Sequence, residues 1–245
     1  MGHRAARNRH LAHPPEVRAA RAQGAAGRHH GRRVLAGVSD DLVRACRRTG
    51  VRDERLLAAV RDVPRAEFVI PEVADRAYTD SPLPIPHDQV TTQPSLVAAM
   101  IDALRLTGEE RVLEIGTGYG WETALVARLT GEVWSVERHA DLAEFARGAL
   151  ERQRVRNATV VAGDGSEGLP EHAPYDGIIV AAAFTEVPEP LVEQLAPGGR
   201  LVQPIGPGGA EDVVLFERGP EGLERRRSVI GAHFVRLYGR HGFRD

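Results

Sequence analysis

A glycine-rich turn and the acidic residues around it are the part of this sequence whose residue types and spacing could do chemistry. An apolar run from Arg111 reaches Glu114, glycines follow at positions 116, 118 and 120, and Trp121 then opens a helix-like segment. Glycines adopt positive φ and let a ligand approach the backbone closely, and the first turn of a helix offers unpaired N–H donors. We therefore predict a cofactor-binding turn made of Gly116, Thr117, Gly118 and Gly120.

The spacing of these glycines disfavours a dinucleotide. The dinucleotide fingerprint would require its third glycine at position 121, which is Trp in this chain. Glu114, on the strand before the turn, could instead bind a cationic amino group. Trp121 could cover the ligand, although core packing at the start of a helix is the interpretation we favour.

Two further acids are expected at the ends of the next strands. Glu137 ends the second predicted strand, where a carboxylate can accept both hydroxyls of a ribose. Asp164, next to Gly165, follows the third strand and could accept from an adenine amino group. Each acid alone is more often a loop cap or a solvated charge, but three at successive strand ends favour an adenosine with a cationic amino-acid tail. The predicted cofactor is S-adenosyl-L-methionine.

The elements that must position these acids alternate along the chain. Apolar runs predict strands at 111–115, 132–137, 159–162, 176–182 and 199–205, and helical spacing predicts helices at 121–129, 140–153 and 188–196. This alternation predicts an α/β fold, a doubly wound, mostly parallel, Rossmann-like sheet with helices on both faces. Strand candidates at 211–217 and 227–237 would complete a seven-stranded sheet with an antiparallel edge.

The N-terminal part is expected to differ from this core. Residues 1–33 are rich in Arg, His and Ala and predict a basic, disordered extension. The remainder, 34–245, is predicted to be one domain, in which 34–106 form a helical and loop-rich substrate segment and 107–245 form the cofactor-binding core. Helical spacing predicts N-terminal helices at 40–48, 53–60 and 95–106. Prolines make 78–94 extended and irregular, as in a lid or a substrate surface.

Composition narrows the possible functions. The formal net charge is −2 and the chain contains no Lys, which excludes lysine-based covalent chemistry and gives no reason to expect nucleic acid as a partner. The single cysteine, Cys46, cannot form an internal disulfide, so a cytoplasmic location is predicted. No apolar run is long enough to span a membrane, and the N-terminus lacks the pattern of a secretory signal. The His residues lack ligand spacing, so no metal is predicted.

Over roughly residues 53–237 the sequence resembles the protein-L-isoaspartate (D-aspartate) O-methyltransferase family. The segments that carry the resemblance are Val63–Val69, Leu83–Gln89, Thr92–Pro94, Val112–Gly118, Gly163–Gly165, Tyr175–Val180 and Leu195–Val202. The glycine turn and the Pro-Gly-Gly-Arg-Leu segment occur in many methyltransferases, whereas the segment from Leu83 to Pro94 is much more specific to this family. The resemblance implies a class I methyltransferase fold.

The resemblance also implies a substrate and a reaction. The family methylates the free α-carboxylate of L-isoaspartyl residues in damaged proteins and peptides, and the ester collapses to a succinimide that partly reopens as normal aspartate. A carboxylate is already ionised at pH 7, so no general base is needed, and catalysis should come from positioning and desolvation. The expected partners are isoaspartyl-containing proteins or peptides, and the chain is predicted to act as a monomer.

The family further suggests which residues act. Thr92 stands where the family has an active-site serine, and His87 could orient the substrate carboxylate or make a structural hydrogen bond. Pro86 and Asp88 replace the glycines that flank this histidine in the family. Small residues after the fourth strand would leave room for a peptide backbone. The predicted substrate surface comprises Leu83, Pro84, Ile85, Gln89, Thr91, Gln93, Pro94, Ala182 and Ala183.

Two other functions remain open on the sequence. The departures at Pro86, Asp88 and Thr92 are compatible with a carboxylate O-methyltransferase that acts on a dedicated peptide or small-molecule partner. A cofactor-binding interaction protein without turnover is the third hypothesis. The chemically competent residues at 92, 114, 137 and 164 argue against it.

Overall fold

A mixed sheet of seven strands is the centre of the structure, a computed structural model that describes residues 39–244. A two-stranded hairpin precedes the sheet in the chain and consists of β1 (Leu83–Ile85) and β2 (Gln89–Thr91). The strands of the sheet are β3 (Arg111–Ile115), β4 (Glu132–Glu137), β5 (Ala158–Ala162), β6 (Tyr175–Val180), β7 (Leu195–Ile205), β8 (Glu211–Gly219) and β9 (Gly222–Ala232). The helices are α1 (39–48), α2 (Glu54–Asp62), α3 (Pro94–Leu104), α4 (Trp121–Ala127), α5 (Ala140–Arg152) and α6 (Glu189–Gln194).

The order of the strands confirms the predicted doubly wound, seven-stranded fold. The order of strands across the sheet is β5-β4-β3-β6-β7-β8-β9. The first five strands in this order are parallel to one another, and β8 and β9 form the antiparallel edge. The chain runs outward from β3 through β4 to β5 on one side, and then returns to β6 on the other. A crevice therefore opens at the carboxyl ends of β3 and β6, which is where sheets of this kind bind ligands.

Two apolar clusters cover the two faces of the sheet. Successive residues of β3 are buried on opposite faces, since Val112 belongs to one cluster and Leu113 to the other. Side chains from α1 to α5 contribute to the first cluster. Leu191 of α6 contributes to the second. The helices thereby fix the sheet from both sides and leave its carboxyl edge open.

The last predicted strand has the wrong bounds. β9 begins at Gly222 and ends at Ala232, because the turn after β8 pairs Gly219 with Gly222. A Glu-Arg-Arg-Arg run along this exposed edge hides the apolar alternation that would have indicated a strand. Beyond Ala232 the chain leaves the edge and pairs elsewhere: the Ala183 N–H donates to the Val235 carbonyl, and the Leu237 N–H donates to the Ala183 carbonyl, both at 2.7 Å.

The segment predicted to be extended and irregular contains the short hairpin of β1 and β2. Leu83 of β1 packs in a small apolar cluster with Val69 and Ala77, which holds the hairpin on the body of the protein. The extension predicted for residues 1–33 lies outside the described residues. The division into a substrate segment and a cofactor-binding core stays a prediction.

A glycine before α4 allows close approach of α4 and α5. Gly120 has a φ of 90°, and a Cβ at this position would lie 3.2 Å from the Ala146 Cβ. We expect Gly120→Ala to lower the free energy of unfolding by about 1–3 kcal/mol, because it adds both a strained φ and overpacking. Denaturant unfolding measures this change.

Gly148 provides the matched control, since it lies within α5 and a Cβ there would meet only the flexible end of Arg152, at 3.3 Å. Gly148→Ala should raise the free energy of unfolding by up to about 1 kcal/mol. Equal effects of the two substitutions would contradict this account of the α4–α5 contact.

Candidate active site

A cavity opens at the carboxyl ends of β3 and β4, next to the point where the strand order reverses. Its walls are the glycine turn after β3, the residues around the end of β4, the β1–β2 hairpin and the chain after β9. The predicted site residues that line it are Ile85, Gln89, Thr91, Thr92, Gly116, Thr117, Gly118, Gly120, Glu137, Gly165 and Ala182. The structure therefore brings together residues from both halves of the described chain.

The glycine turn leaves space that side chains would fill. Gly116, Gly118 and Gly120 have φ values of 95°, 53° and 90°, a region that favours glycine. A Cβ on Gly116 would lie 3.4 Å from the Ala181 Cβ, and one on Gly118 would lie 3.7 Å from the Ile85 Cδ1. The absence of these two atoms keeps the turn open to a ligand that approaches the main chain.

Glu137 is buried in the wall beside this turn, where two backbone donors fix its carboxylate. Its Oε2 accepts from the Gly118 N–H at 2.8 Å, and its Oε1 accepts from the His139 N–H at 2.9 Å. Hydrogen bonds to the charged form stabilise the carboxylate, and each oxygen keeps a further lone pair. The carboxylate can therefore accept hydrogen bonds from two adjacent hydroxyls of a ligand.

Glu114 lies behind the cavity wall and is fully buried. Its Oε2 accepts from the hydroxyls of Thr123 and Ser135, each at 2.5 Å, while its Oε1 has no partner. Burial raises the pKa of Glu114 to about 7, although these two hydroxyls act in the opposite direction. Direct contact of Glu114 with a cofactor stays a prediction.

Asp164 lies beside the cavity, and its neighbour Gly165 lines it. The Asp164 carboxylate accepts from the backbone N–H groups of Ser166, at 2.9 Å, and Arg240, at 2.7 Å. Partial burial opposes ionisation, but these hydrogen bonds hold the pKa of Asp164 below its usual value. Asp164 thereby ties the end of the chain to the rim of the cavity. Its contact with an adenine stays a prediction.

Arg65 lines the cavity, although the sequence did not single it out. Only 1% of Arg65 is exposed, and its guanidinium lies 5.5 Å from the centre of the Trp121 ring. Its hydrogen bonds, of 2.8–3.2 Å, go to the carbonyls of Ala77, Thr79, Ser81 and Thr92 and the hydroxyl of Thr91. Burial lowers its pKa to about 10, so Arg65 stays protonated at neutral pH. The signal that could have found it was its place in the Val63–Val69 motif.

Thr92 lies where the cavity meets a second, larger groove. Thr92 lines both spaces, together with Val90, Ala181 and Val235. The Thr92 carbonyl is held by Arg65, whereas its hydroxyl makes no hydrogen bond to the described residues. A fixed backbone with an uncommitted hydroxyl is an arrangement that can donate to a ligand at the junction.

His87 lies outside the cavity, at the tip of the hairpin. Its Nε2 is 2.9 Å from both carboxylate oxygens of Asp141, and its ring stacks on His139 with the centroids 4.0 Å apart. The hydrogen bond from His87 lowers the pKa of Asp141. These contacts fasten the hairpin to the start of α5, close to Glu137.

The remaining predicted residues do not line the cavity. Leu83 is buried under the hairpin, Pro84 is exposed, and Pro94 opens α3. Gln93 donates to Asp80 and to Ser95, each at 3.1 Å, and lines the groove instead. The backbone of Ala183 pairs with the chain after β9.

Residues 39–244 contain neither a candidate metal site nor a candidate membrane-spanning helix. Within this range, no group of three or more His, Cys, Asp or Glu side chains is arranged to hold a metal ion. None of the helices in the described part of the chain is both long and apolar enough to cross a membrane.

The fold and the site together define a class of protein. The order of the strands, the glycine turn after β3 and the acid at the end of β4 are those of the class I S-adenosylmethionine-dependent methyltransferases. Residues 38–242 match the protein-L-isoaspartate(D-aspartate) O-methyltransferase family, and the chain belongs to that family.

Individual relatives are similar over most of their length. A protein-L-isoaspartate O-methyltransferase of Aeropyrum pernix is 47% identical over 209 residues, which are 83% of this chain and 80% of that protein. One of Halorhodospira halophila is 48% identical over 197 residues, or 80% of this chain and 89% of that protein. A solved protein-L-isoaspartate O-methyltransferase structure has a TM-score of 0.73 and 30% identity, and the match covers 83% of this chain and 67% of that one.

We expect Arg65→Gln to lower the free energy of unfolding by about 2–4 kcal/mol, because several buried carbonyls lose their donor. Arg65→Lys should lie between Arg65→Gln and the unmodified protein, since it keeps the charge but not the planar fork. Urea unfolding gives the free energies, and hydrogen exchange should show faster exchange in 77–92. Arg61→Gln is the control: Arg61 makes an exposed ion pair with Asp40, so the change should be under about 0.5 kcal/mol. Similar losses for Arg61 and Arg65 would refute the role of Arg65.

The buried carboxyl of Glu114 predicts a pH dependence of stability. Because its folded pKa of about 7 lies above the usual 4.5, the folded chain keeps a proton that the unfolded chain releases. This contribution is fully present below about pH 4.5 and is lost as the pH rises through 7, by roughly 3 kcal/mol. Urea unfolding of the Glu114→Gln variant should therefore show a shallower decline over this range. Parallel curves for the two proteins would disprove the assignment.

Proposed function

We propose that this chain transfers a methyl group from S-adenosyl-L-methionine to the free α-carboxylate of L-isoaspartyl residues in damaged proteins and peptides, and so initiates repair through a succinimide. The observation that carries the proposal is the junction at Thr92. This residue, whose hydroxyl makes no hydrogen bond to the described residues, lines both the cavity of the glycine turn and the adjoining groove. A donor and an acceptor bound in these two spaces would meet there.

The residues around the glycine turn fit S-adenosylmethionine. Glu137 would bind the ribose hydroxyls, and the open main chain of Gly116 to Gly120 would contact the methionyl part. Gly165 and Asp164 would lie against the adenine. When bound, the cofactor supplies a methyl group on a sulfonium that is a good leaving group.

The groove beside Thr92 suits a peptide. Its volume is about 940 Å³, within the range of ordinary ligand sites. Gln93 lines it, and its side-chain N–H groups are bound to Asp80 and Ser95, so its side-chain carbonyl is the group that could accept from a peptide N–H. Small residues, which leave room for a main chain, also line it: Ala181, Ala210, Gly231 and Ala232.

Methyl transfer to a carboxylate requires little of this chain beyond the positioning of the two reactants. The acceptor carboxylate is ionised at neutral pH and needs no base. The Thr92 hydroxyl would donate to one carboxylate oxygen and so direct the other towards the cofactor cavity. The buried charge of Arg65 would favour an anion in the cavity, and the apolar residues Phe68 and Val97, which also line it, would help to exclude water.

We assign His87 a positioning role in this reaction. Its contacts with Asp141 and His139 hold the hairpin that carries Thr91 and Thr92. The ring stands outside the cavity, so His87 would act through the hairpin and not on the substrate carboxylate.

We also propose that the chain acts as a monomer in the cytoplasm. Cys46 is buried and free, and burial raises the pKa of its thiol to about 12. A thiol that stays protonated is unreactive, which is compatible with a reducing compartment. Sedimentation of the purified protein would measure the oligomeric state.

An acceptor assay tests the proposal directly. We expect labelled S-adenosylmethionine to label a peptide that contains one L-isoaspartyl residue and to leave the aspartyl peptide of the same sequence unlabelled. Equal labelling of the two peptides would refute repair specificity. Labelling of neither, with the cofactor bound, would favour a dedicated acceptor or a binding protein without turnover.

Substitution of Thr92 tests its role in that assay. Thr92→Val keeps the shape and removes the hydroxyl, so kcat/KM for the isoaspartyl peptide should fall by about 10²–10³-fold. Thr92→Ser keeps the hydroxyl and should retain activity within about tenfold. Binding of S-adenosylhomocysteine should be similar in both variants. Undiminished turnover by Thr92→Val would show that this hydroxyl is not used.

A further inference from the structure

The side-chain amide of Gln93 has an orientation that its neighbours determine. Its Nε2 donates to the carboxylate Oδ2 of Asp80 and to the hydroxyl oxygen of Ser95, each at 3.1 Å. A carboxylate can only accept hydrogen bonds, so the nitrogen of the amide, and not its oxygen, must face Asp80. Both N–H groups of the Gln93 side chain are thereby used inside the protein.

The oxygen of the same amide is left for a ligand. Gln93 lines the groove beside Thr92, which precedes it in the chain. Its Oε1 accepts no hydrogen bond from the described residues and, unlike the unpaired oxygen of Glu114, it is not buried. Oε1 is therefore the polar atom of this side chain that a bound peptide can reach.

Asp80 is itself held in place by the start of α3. Its Oδ1 accepts from the Ser95 N–H at 2.9 Å, in the first turn of that helix, where a negative charge is favoured. Burial lowers the pKa of Arg65, and the nearby carboxylate of Asp80 acts in the opposite direction. With both of its oxygens bound, the carboxylate cannot turn without breaking one of these hydrogen bonds.

The two carboxylates that line the groove are engaged in other ways. Glu211 is buried, and each of its oxygens accepts from a backbone N–H at 2.8 Å. Asp212 accepts from Arg225 and from Ser228. Both carboxylates already have donors, whereas Oε1 of Gln93 has none.

We propose that Gln93 contributes to acceptor specificity, because its Oε1 accepts from one of the two main-chain N–H groups that flank the isoaspartyl carboxylate, and that Asp80 is the positioning residue that keeps this oxygen on the groove side. The two N–H groups are that of the isoaspartyl residue and that of the residue after it. This inference rests on the proposed function, because it presupposes an isoaspartyl peptide in the groove. The hydrogen bond fixes the main chain of the acceptor next to Thr92, whose hydroxyl binds the carboxylate. Two fixed points orient the carboxylate more closely than one.

Asp80→Asn tests the positioning role. The substitution keeps an oxygen for the Ser95 N–H, but it places an NH₂ group where an oxygen faced Gln93. Two NH₂ groups cannot bond to each other, so the amide of Gln93 should turn over and present its N–H groups to the groove. We expect kcat/KM for the isoaspartyl peptide to fall about 3–10-fold, through KM and with kcat little changed, as for one neutral hydrogen bond made equally in the bound substrate and the transition state. Gln93→Met, which removes the amide at similar size, should have the same effect.

Two ester analogues of the peptide separate this hydrogen bond from a general disturbance of α3. In each analogue an oxygen replaces one of the two flanking N–H groups. One of the esters should lower kcat/KM about 3–10-fold more in the unmodified protein than in Asp80→Asn or Gln93→Met. Asp53→Asn is the matched control, since Asp53 accepts from a backbone N–H at the start of α2 and does not line the groove. This control should discriminate between amide and ester as the unmodified protein does.

The remaining outcomes also decide the matter. If both variants lower kcat/KM for the amide and the two esters by one common factor, or have no effect, the inference is overturned and the proposed function stands. Discrimination that persists in Asp80→Asn would overturn the role of Asp80. If that variant does not fold, the side-chain NH₂ signals of Gln93 in the unmodified protein replace it: they should exchange slowly with water, and free exchange would show that Asp80 does not hold the amide. If the unmodified protein methylates no isoaspartyl peptide, the proposed function and this inference fall together.

Discussion

The burial of a single guanidinium organises the substrate side of this protein. Arg65 is withdrawn from water, so its N–H groups must find acceptors inside the protein, and they find them along the segment 77–92. The guanidinium gives a donor to the carbonyls of Ala77, Thr79, Ser81 and Thr92, which lie outside the ladder of β1 and β2. Because Arg65 also lies over Trp121, the same side chain sets the position of the hairpin relative to the glycine turn.

The cofactor side depends instead on the sheet. β3 and β4 are parallel and in register, so the residues that follow them meet at one edge, and the Gly118 N–H can donate to Glu137. The acids nearby differ in their surroundings. Glu137 has backbone donors on both oxygens, whereas Glu114 and Glu122 each keep an unpaired one. This difference favours hydroxyl binding at Glu137.

The hairpin shows how this chain accommodates its departures from the family pattern. Asp88 stands where the family has glycine, yet it and His87 both adopt positive φ, at 56° and 64°. Such a conformation costs free energy in residues other than glycine. The contacts of His87 with Asp141 and His139, and the hydrogen bond from Gln89 to the His87 carbonyl, hold the turn in place. Thr92 keeps its hydroxyl at the junction of the two spaces.

The sequence by itself determined the sheet, the glycine turn and the family, because strand periodicity, glycine spacing and short motifs are local properties of the chain. It also named Glu137 and Thr92, both of which line the cavity. Only the tertiary structure decided what these residues contact. In the structure Glu114 lies behind the cavity wall, Asp164 lies beside the cavity, and His87 lies outside it. Arg65 and Glu122 are part of the wall. The physical reason is that burial and pairing depend on neighbours distant in the chain, which spacing alone does not encode.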